Sequence, residues 1–120
     1  MNKQEIINWL EKYNITNYVI NDDLTVDVDN YVNLSYKNLT EIPFQFGKVS
    51  GSFICAYNQL ISLEGCPKEI KGNFICSNNQ LISLEGCPEI INGGFYCDDN
   101  LKDSIEYKRW NIKHKLEEIS

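Results

Sequence analysis

With 120 residues, 42% of them hydrophobic and 23% charged, the chain has the makeup of one modest folded domain and not of a disordered or fibrous segment. A formal net charge of -6, with a single arginine (Arg109) among 11 basic residues, argues against direct nucleic-acid binding, which draws on clustered Arg and Lys. No apolar run is long enough to cross a bilayer, and the opening Met1-Asn-Lys-Gln-Glu-Ile-Ile-Asn-Trp-Leu10 is unlike a secretory leader, so a cytoplasmic location is expected.

Asn2 to Tyr13 reads as an amphipathic helix. Ile6, Trp9, Leu10 and Tyr13 share one face, and Asn2 can cap the start. Tyr18 to Ile20 and Leu24 to Val28 read as short strands joined by an Asn21-Asp22-Asp23 turn. Within this stretch Asp22, Asp23, Asp27 and Asp29 offer an acidic surface for a basic partner, with a solvated charge run as the plainer reading. The segment lacks the oxygen spacing, central Gly and closing Glu of a calcium loop.

A 21-residue repeat follows. Phe53-Ile-Cys-Ala-Tyr-Asn-Gln-Leu-Ile-Ser-Leu-Glu-Gly-Cys-Pro67 recurs as Phe74-Ile-Cys-Ser-Asn-Asn-Gln-Leu-Ile-Ser-Leu-Glu-Gly-Cys-Pro88, and a third copy begins at Phe95-Tyr-Cys-Asp-Asp-Asn100. Traced backwards, Val32, Leu34, Leu39 and Ile42 keep the same register and define a divergent first coil, in which Pro43-Phe-Gln-Phe46 replaces Glu-Gly-Cys-Pro. A fixed period of this size predicts a solenoid whose repeats bury their apolar side only against neighbours. Leucines such as Leu81 should point inward, Asn58, Asn79 and Asn100 should stack as a ladder, and Gly51, Gly72 and Gly93 should supply a permissive backbone at a tight turn. After Leu101 a second helix is expected over Ser104 to Ile119, begun by an Asp103/Glu106 capping box and packed through Ile105, Ile112, Leu116 and Ile119. Both helices read as lids on the open ends of the stack. The expected organisation is one domain, with a cap over residues 1–31, the solenoid over 32–101 and a helical cap over 102–120.

The pattern Phe53-x-Cys55-x-x-Asn58-x-Leu60-x-x-Leu63, repeated from Phe74 to Leu84, resembles the leucine-rich repeat, with Phe and Cys at two leucine positions. The short period and the Gly-Cys-Pro turn resemble bacterial and bacteriophage repeats of this kind. That resemblance implies an α/β solenoid of 21-residue coils. It also implies a role as a protein-binding module, in concrete form a phage- or prophage-encoded inhibitor of a bacterial defence protein of the anti-CRISPR sort, acting in the bacterial host cytosol. It says little more about function, because such folds host many roles.

The five cysteines fall in two columns, Cys55, Cys76, Cys97 and Cys66, Cys87, with no Cys-x-x-Cys pair, and read as reduced apolar filling. A cysteine-dependent metal or redox protein is the third-ranked reading. His114, the single histidine, reads as solvated. No phosphate loop, nucleophile elbow or paired-carboxylate motif is present, so neither an enzyme nor a cofactor is expected. The expected partner surface is the outward side of the repeat strands, where Ile54, Ile75 and Tyr96 align, Tyr36 and Tyr57 sit beside them, and Asp98 adds a charge at the end. In the next column Ser35, Ala56 and Ser77 should also face out. The expected partner is another protein, with no membrane involved. A self-assembling module that forms homo-oligomers is the alternative.

Overall fold

The computed structural model describes residues 1–119, except for the side chain of Ile119. The chain forms a β-solenoid of about 3 coils with a helix at each end. The described elements run α1 (Lys3–Lys12), β1 (Tyr18–Ile20), β2 (Val26–Val28), β3 (Val32–Asn33), β4 (Phe46–Val49), β5 (Phe53–Ile54), β6 (Glu69–Ile70), β7 (Phe74–Ile75), β8 (Ile90–Ile91), β9 (Phe95–Tyr96), a 3-10 turn (Asp99–Leu101) and α2 (Ile105–Ile119).

The 21-residue period is the coil. Val32 pairs with Phe53, Phe53 with Phe74 and Phe74 with Phe95, all in parallel register. The body is all-β, and each coil carries two short strands where the repeat motif pointed to one. The strands sort into two sheets, ordered β1-β2-β4-β6-β8 and β3-β5-β7-β9. The hairpin of β1 and β2 joins the first sheet through a parallel pairing of β2 with β4.

Alternation along each strand places one side in the core. Phe46, Phe53 and Phe74 are fully buried, and so are Leu60, Leu63 and Leu84, with Leu81 also inside. At roughly 1.5–3 kcal/mol per large apolar side chain removed from water, these columns are the main cohesive term. An aromatic spine runs the length of the molecule. Trp9 meets Phe44 edge-on at 5.1 Å, and ring contacts continue through Phe46, Phe53, Phe74 and Phe95 to Tyr107 and Trp110.

Two polar devices hold the coils in register. Asn58 accepts from the backbone N–H groups of Lys37 and Leu39 and donates to the carbonyls of Leu34 and Cys55. Asn79 repeats this one coil later, accepting from Leu60 N–H and donating to Cys55 and Cys76. Each amide therefore satisfies backbone groups that the turn leaves free. The ladder stops at two rungs. Asn100 is exposed, because the chain enters the 3-10 turn and Leu101 takes the buried place. The glycine column also works differently from the expectation. Gly51, Gly72 and Gly93 do not have positive φ. They are required by close approach, since a Cβ on Gly72 would stand 2.7 Å from the backbone nitrogen of Ser52 and one on Gly93 2.6 Å from Gly72 O. The left-handed glycines are Gly65 and Gly86, in the Glu-Gly-Cys-Pro turns.

The end helices differ. α1 begins with a reciprocal capping box between Asn2 and Glu5 and buries Ile6 and Leu10 completely. α2 does not pack through the three described residues of the expected aliphatic stripe, and the side chain of the fourth, Ile119, lies outside the described residues. Ile105, Ile112 and Leu116 are 67%, 59% and 59% exposed. Its packed face is Tyr107 and Trp110, set against Phe95, together with His114. Trp110 Nε1 donates to Gly93 O at 3.2 Å, and a ring nitrogen of His114 lies 3.3 Å from Asn92 O. His114 is thus half-buried and packed at a tilt against Trp110, with ring centroids 4.4 Å apart, not solvated.

Candidate functional site

The second sheet turns one face outward. Its register lines up Asn33, Ile54, Ile75 and Tyr96, one residue per coil. Ile54 and Ile75 are half-buried, so only part of each aliphatic side chain is presented, and Tyr96 is exposed. The Tyr96 ring folds back over Gly94, where a Cβ would come within 2.6 Å of it. The neighbouring column is less open than its sequence suggests. Ala56 is 3% exposed, while Ser35, Ser77 and Asp98 are half-buried. Asp98 does more than end the column with a charge. Its Oδ1 accepts from the backbone N–H of Asn78 at 2.8 Å and so ties the last coil to the one before it.

Beside this column stand Tyr36 and Tyr57, one coil apart, with rings stacked at 4.5 Å and only 10° between planes. Both are exposed, Tyr36 to 70%. Partial desolvation, followed by the neighbouring Tyr57, raises the pKa of the Tyr36 hydroxyl above its ordinary value. Their backbones are left-handed, with φ of 57° and 56°. The equivalent residue one coil later, Asn78, has φ 59° and suits that conformation. A bulky side chain there costs about 1–2 kcal/mol, so the two tyrosines together cost about 2–4 kcal/mol. Their stacking returns about 0.5–1.5 kcal/mol. The pair is therefore a net local cost, and strain of this kind is concentrated at functional positions.

The acidic residues do not form one face. Asp23 accepts from the N–H and hydroxyl of Thr25, which hold its carboxyl below the usual range. Asp27 accepts from Lys48 N–H and the Asn21 amide, and Asp29 from the Ser50 hydroxyl. Asp22 is exposed at the hairpin tip. On the outer face of the first sheet Asp27 and Asp29 line one shallow depression with Lys48, Glu69 and Lys71, so charge alternates there and no acidic patch builds up.

All five cysteines are free thiols, and Cys87 is the only one that is not buried. The Cys55 thiol is pushed up by its hydrogen bond with Cys66 and by burial, and that of Cys76 is pushed up by burial. Burial likewise raises Cys97, and Cys87 is raised to about 11. Reactive thiolates need the opposite surroundings. Among the described residues no three His, Cys, Asp or Glu side chains converge as metal ligands, and no helix is long and apolar enough to cross a membrane.

Two exposed aliphatic positions escaped the sequence reading. Ile61 and Ile82 occupy the same repeat position and are 68% and 91% exposed. A signal was available: each follows a leucine that points inward, as does the leucine two residues further on, which leaves the isoleucine pointing out. No family model, curated protein or solved structure matches the chain.

Proposed function

We propose that the protein is a non-catalytic protein-interaction module whose binding surface is the outer face of the second sheet, with the Tyr36–Tyr57 stack beside it as the anchor. The observation that carries this is energetic: two tyrosines are kept in left-handed backbone at a cost their mutual stacking does not offset. Ile54, Ile75 and Tyr96 extend the surface, and the half-buried Asp98 lies on its margin. Rigid, exposed aromatics bordered by partly exposed aliphatic groups are the usual anchors of a protein interface. In the form suggested by the resemblance to phage repeats, the partner is a protein of a bacterial defence complex and binding blocks it.

The test is the double variant Tyr36→Asn/Tyr57→Asn, which installs the residue that Asn78 already uses. Stability should rise by about 1 kcal/mol, because the strain relieved exceeds the stacking lost. The partner captured by the parent protein from a host lysate should be lost. Tyr96→Ala should weaken capture without unfolding the chain. A double variant that is less stable than the parent, or that still captures its partner, would remove the basis of this proposal.

A further inference from the structure

The aliphatic stripe of α2 lies opposite its packed face. At 100° per residue, Ile105, Ile112 and Leu116 fall within a narrow sector, and Tyr107, Trp110 and His114 fall on the far side. The stripe is bordered by cations on both flanks. Lys108 and Lys115 lie on one side, Arg109 and Lys113 on the other, all exposed. These four are more than a third of the 11 basic residues of the chain, gathered in eight positions that hold no acid. Such a face on a chain of net charge -6 calls for an acidic, apolar counterpart.

The same molecule offers one. Ile61 and Ile82 form a ridge along the turn side of the solenoid. Exposed Glu64 and Glu85 follow them in the repeated Gln-Leu-Ile-Ser-Leu-Glu-Gly, which contains no cation, and Glu41 lies on the adjoining coil. The Ser62 and Ser83 hydroxyls accept from the backbone N–H groups of Glu64 and Glu85, which orders both turns. Coils stack about 4.8 Å apart. Ile112 and Leu116, four residues apart on a helix, stand about 5–6 Å apart. The two apolar pairs therefore have matching pitch, and their charged borders have opposite sign.

We propose that these two surfaces bind each other between two copies of this chain, α2 of one copy lying on the Ile61–Ile82 ridge of the other. Within one chain α2 borders the turn that directly follows Glu85 of the ridge, since Glu106, Arg109 and Lys113 line a cavity together with Gly86, Cys87 and Glu89. A two-fold arrangement therefore engages both surfaces of both copies at once, as an isologous dimer does. It counts every contact twice, toward the roughly 1,200–2,000 Å² buried in specific interfaces. This contact uses neither Tyr36 nor Tyr57, so it stands or falls independently of the proposed binding surface on the second sheet.

Sedimentation equilibrium of the full chain across a range of concentration and salt tests it. A dimer is expected whose dissociation constant rises at least about tenfold between low and high salt. Ile112→Asp on the helix and Ile82→Asp on the ridge should each raise it at least about tenfold while the melting temperature is kept. Reversing the ridge, Glu64→Lys/Glu85→Lys, should abolish the dimer. Adding Lys113→Glu/Lys115→Glu to the same chain should restore it, a result that general loss of structure cannot give. A parent chain that stays monomeric at about 100 µM would overturn the proposal, as would a dimer indifferent to all four changes. So would a monomeric parent that binds vesicles of phosphatidylserine and loses them on Ile112→Asp, because a basic amphipathic helix on an anionic membrane is the rival occupant.

Discussion

α1 turns Ile6 and Leu10 into the solenoid and buries them, whereas α2 turns Ile105, Ile112 and Leu116 to solvent and packs through Tyr107, Trp110 and His114. Both helices show aliphatic residues at helical spacing. The difference lies in what each end of the stack requires. At the start, Phe44 offers an apolar surface, and Trp9 with its aliphatic neighbours covers it. At the other end the last coil leaves the carbonyl of Gly93, whose equivalents Gly51 and Gly72 accept from the next coil, and beside it the carbonyl of Asn92. Trp110 and His114 meet them with ring nitrogens while their rings pack in series behind Phe95. An aliphatic side chain supplies only the packing, so the side of α2 with a polar handle faces inward.

The largest expected effect is at the first helix. Leu10→Ala should lower stability by about 2–5 kcal/mol, the range for truncating a fully buried leucine, read as a shift in the midpoint of chemical denaturation. A change below about 1 kcal/mol would mean that α1 is not part of the cooperative core. At the second helix, Trp110→Ala should lower stability by less, about 1–3 kcal/mol, because the indole is only partly buried. Trp110→Phe keeps the ring and loses the bond to Gly93, so it separates the two contributions.

Cysteine chemistry sharpens the comparison further. Cys87 borders α2, and its thiol is raised to about 11 by burial first and then by Glu106, against the opposing effect of Arg109. Its ordinary value is 9.0. A raised thiol contributes stability that is complete below the ordinary value and is lost as pH climbs through the raised one. The melting temperature should therefore fall between about pH 9 and about pH 11, less steeply in Cys87→Ala. Native labelling should reach Cys87 before Cys76, and Trp110→Ala should speed labelling of Cys87 without touching Cys55. Equal rates at Cys55 and Cys87 would show that the two ends open together. The smallest effect is at the outward stripe, where Ile112→Asp should change monomer stability by no more than about 0.5 kcal/mol, as an exposed substitution does. A larger loss would place that stripe in the core after all.

The sequence by itself determined the period, and with it the stacking of Phe53 on Phe74 and Phe95, the inward leucines and the first two asparagine rungs. Each of these depends on a residue meeting the neighbouring coil at or close to its own equivalent 21 positions away, so the repeat contains the contact. It also placed α1, whose cap and buried face are local in sequence. Tertiary structure decided what repetition cannot encode. The second strand of each coil, at Glu69–Ile70 and Ile90–Ile91, is too short for an alternating pattern to reveal and exists only because neighbouring coils pair there. The glycine column answers to backbone contact between coils and not to a turn. The left-handed setting of Tyr36 and Tyr57, which singles them out within the candidate surface, belongs to the coil and not to the tyrosines. Which side of α2 faces inward depended on carbonyls at the end of the stack. Helical spacing states which residues share a side, and only the surface they meet decides whether that side is buried.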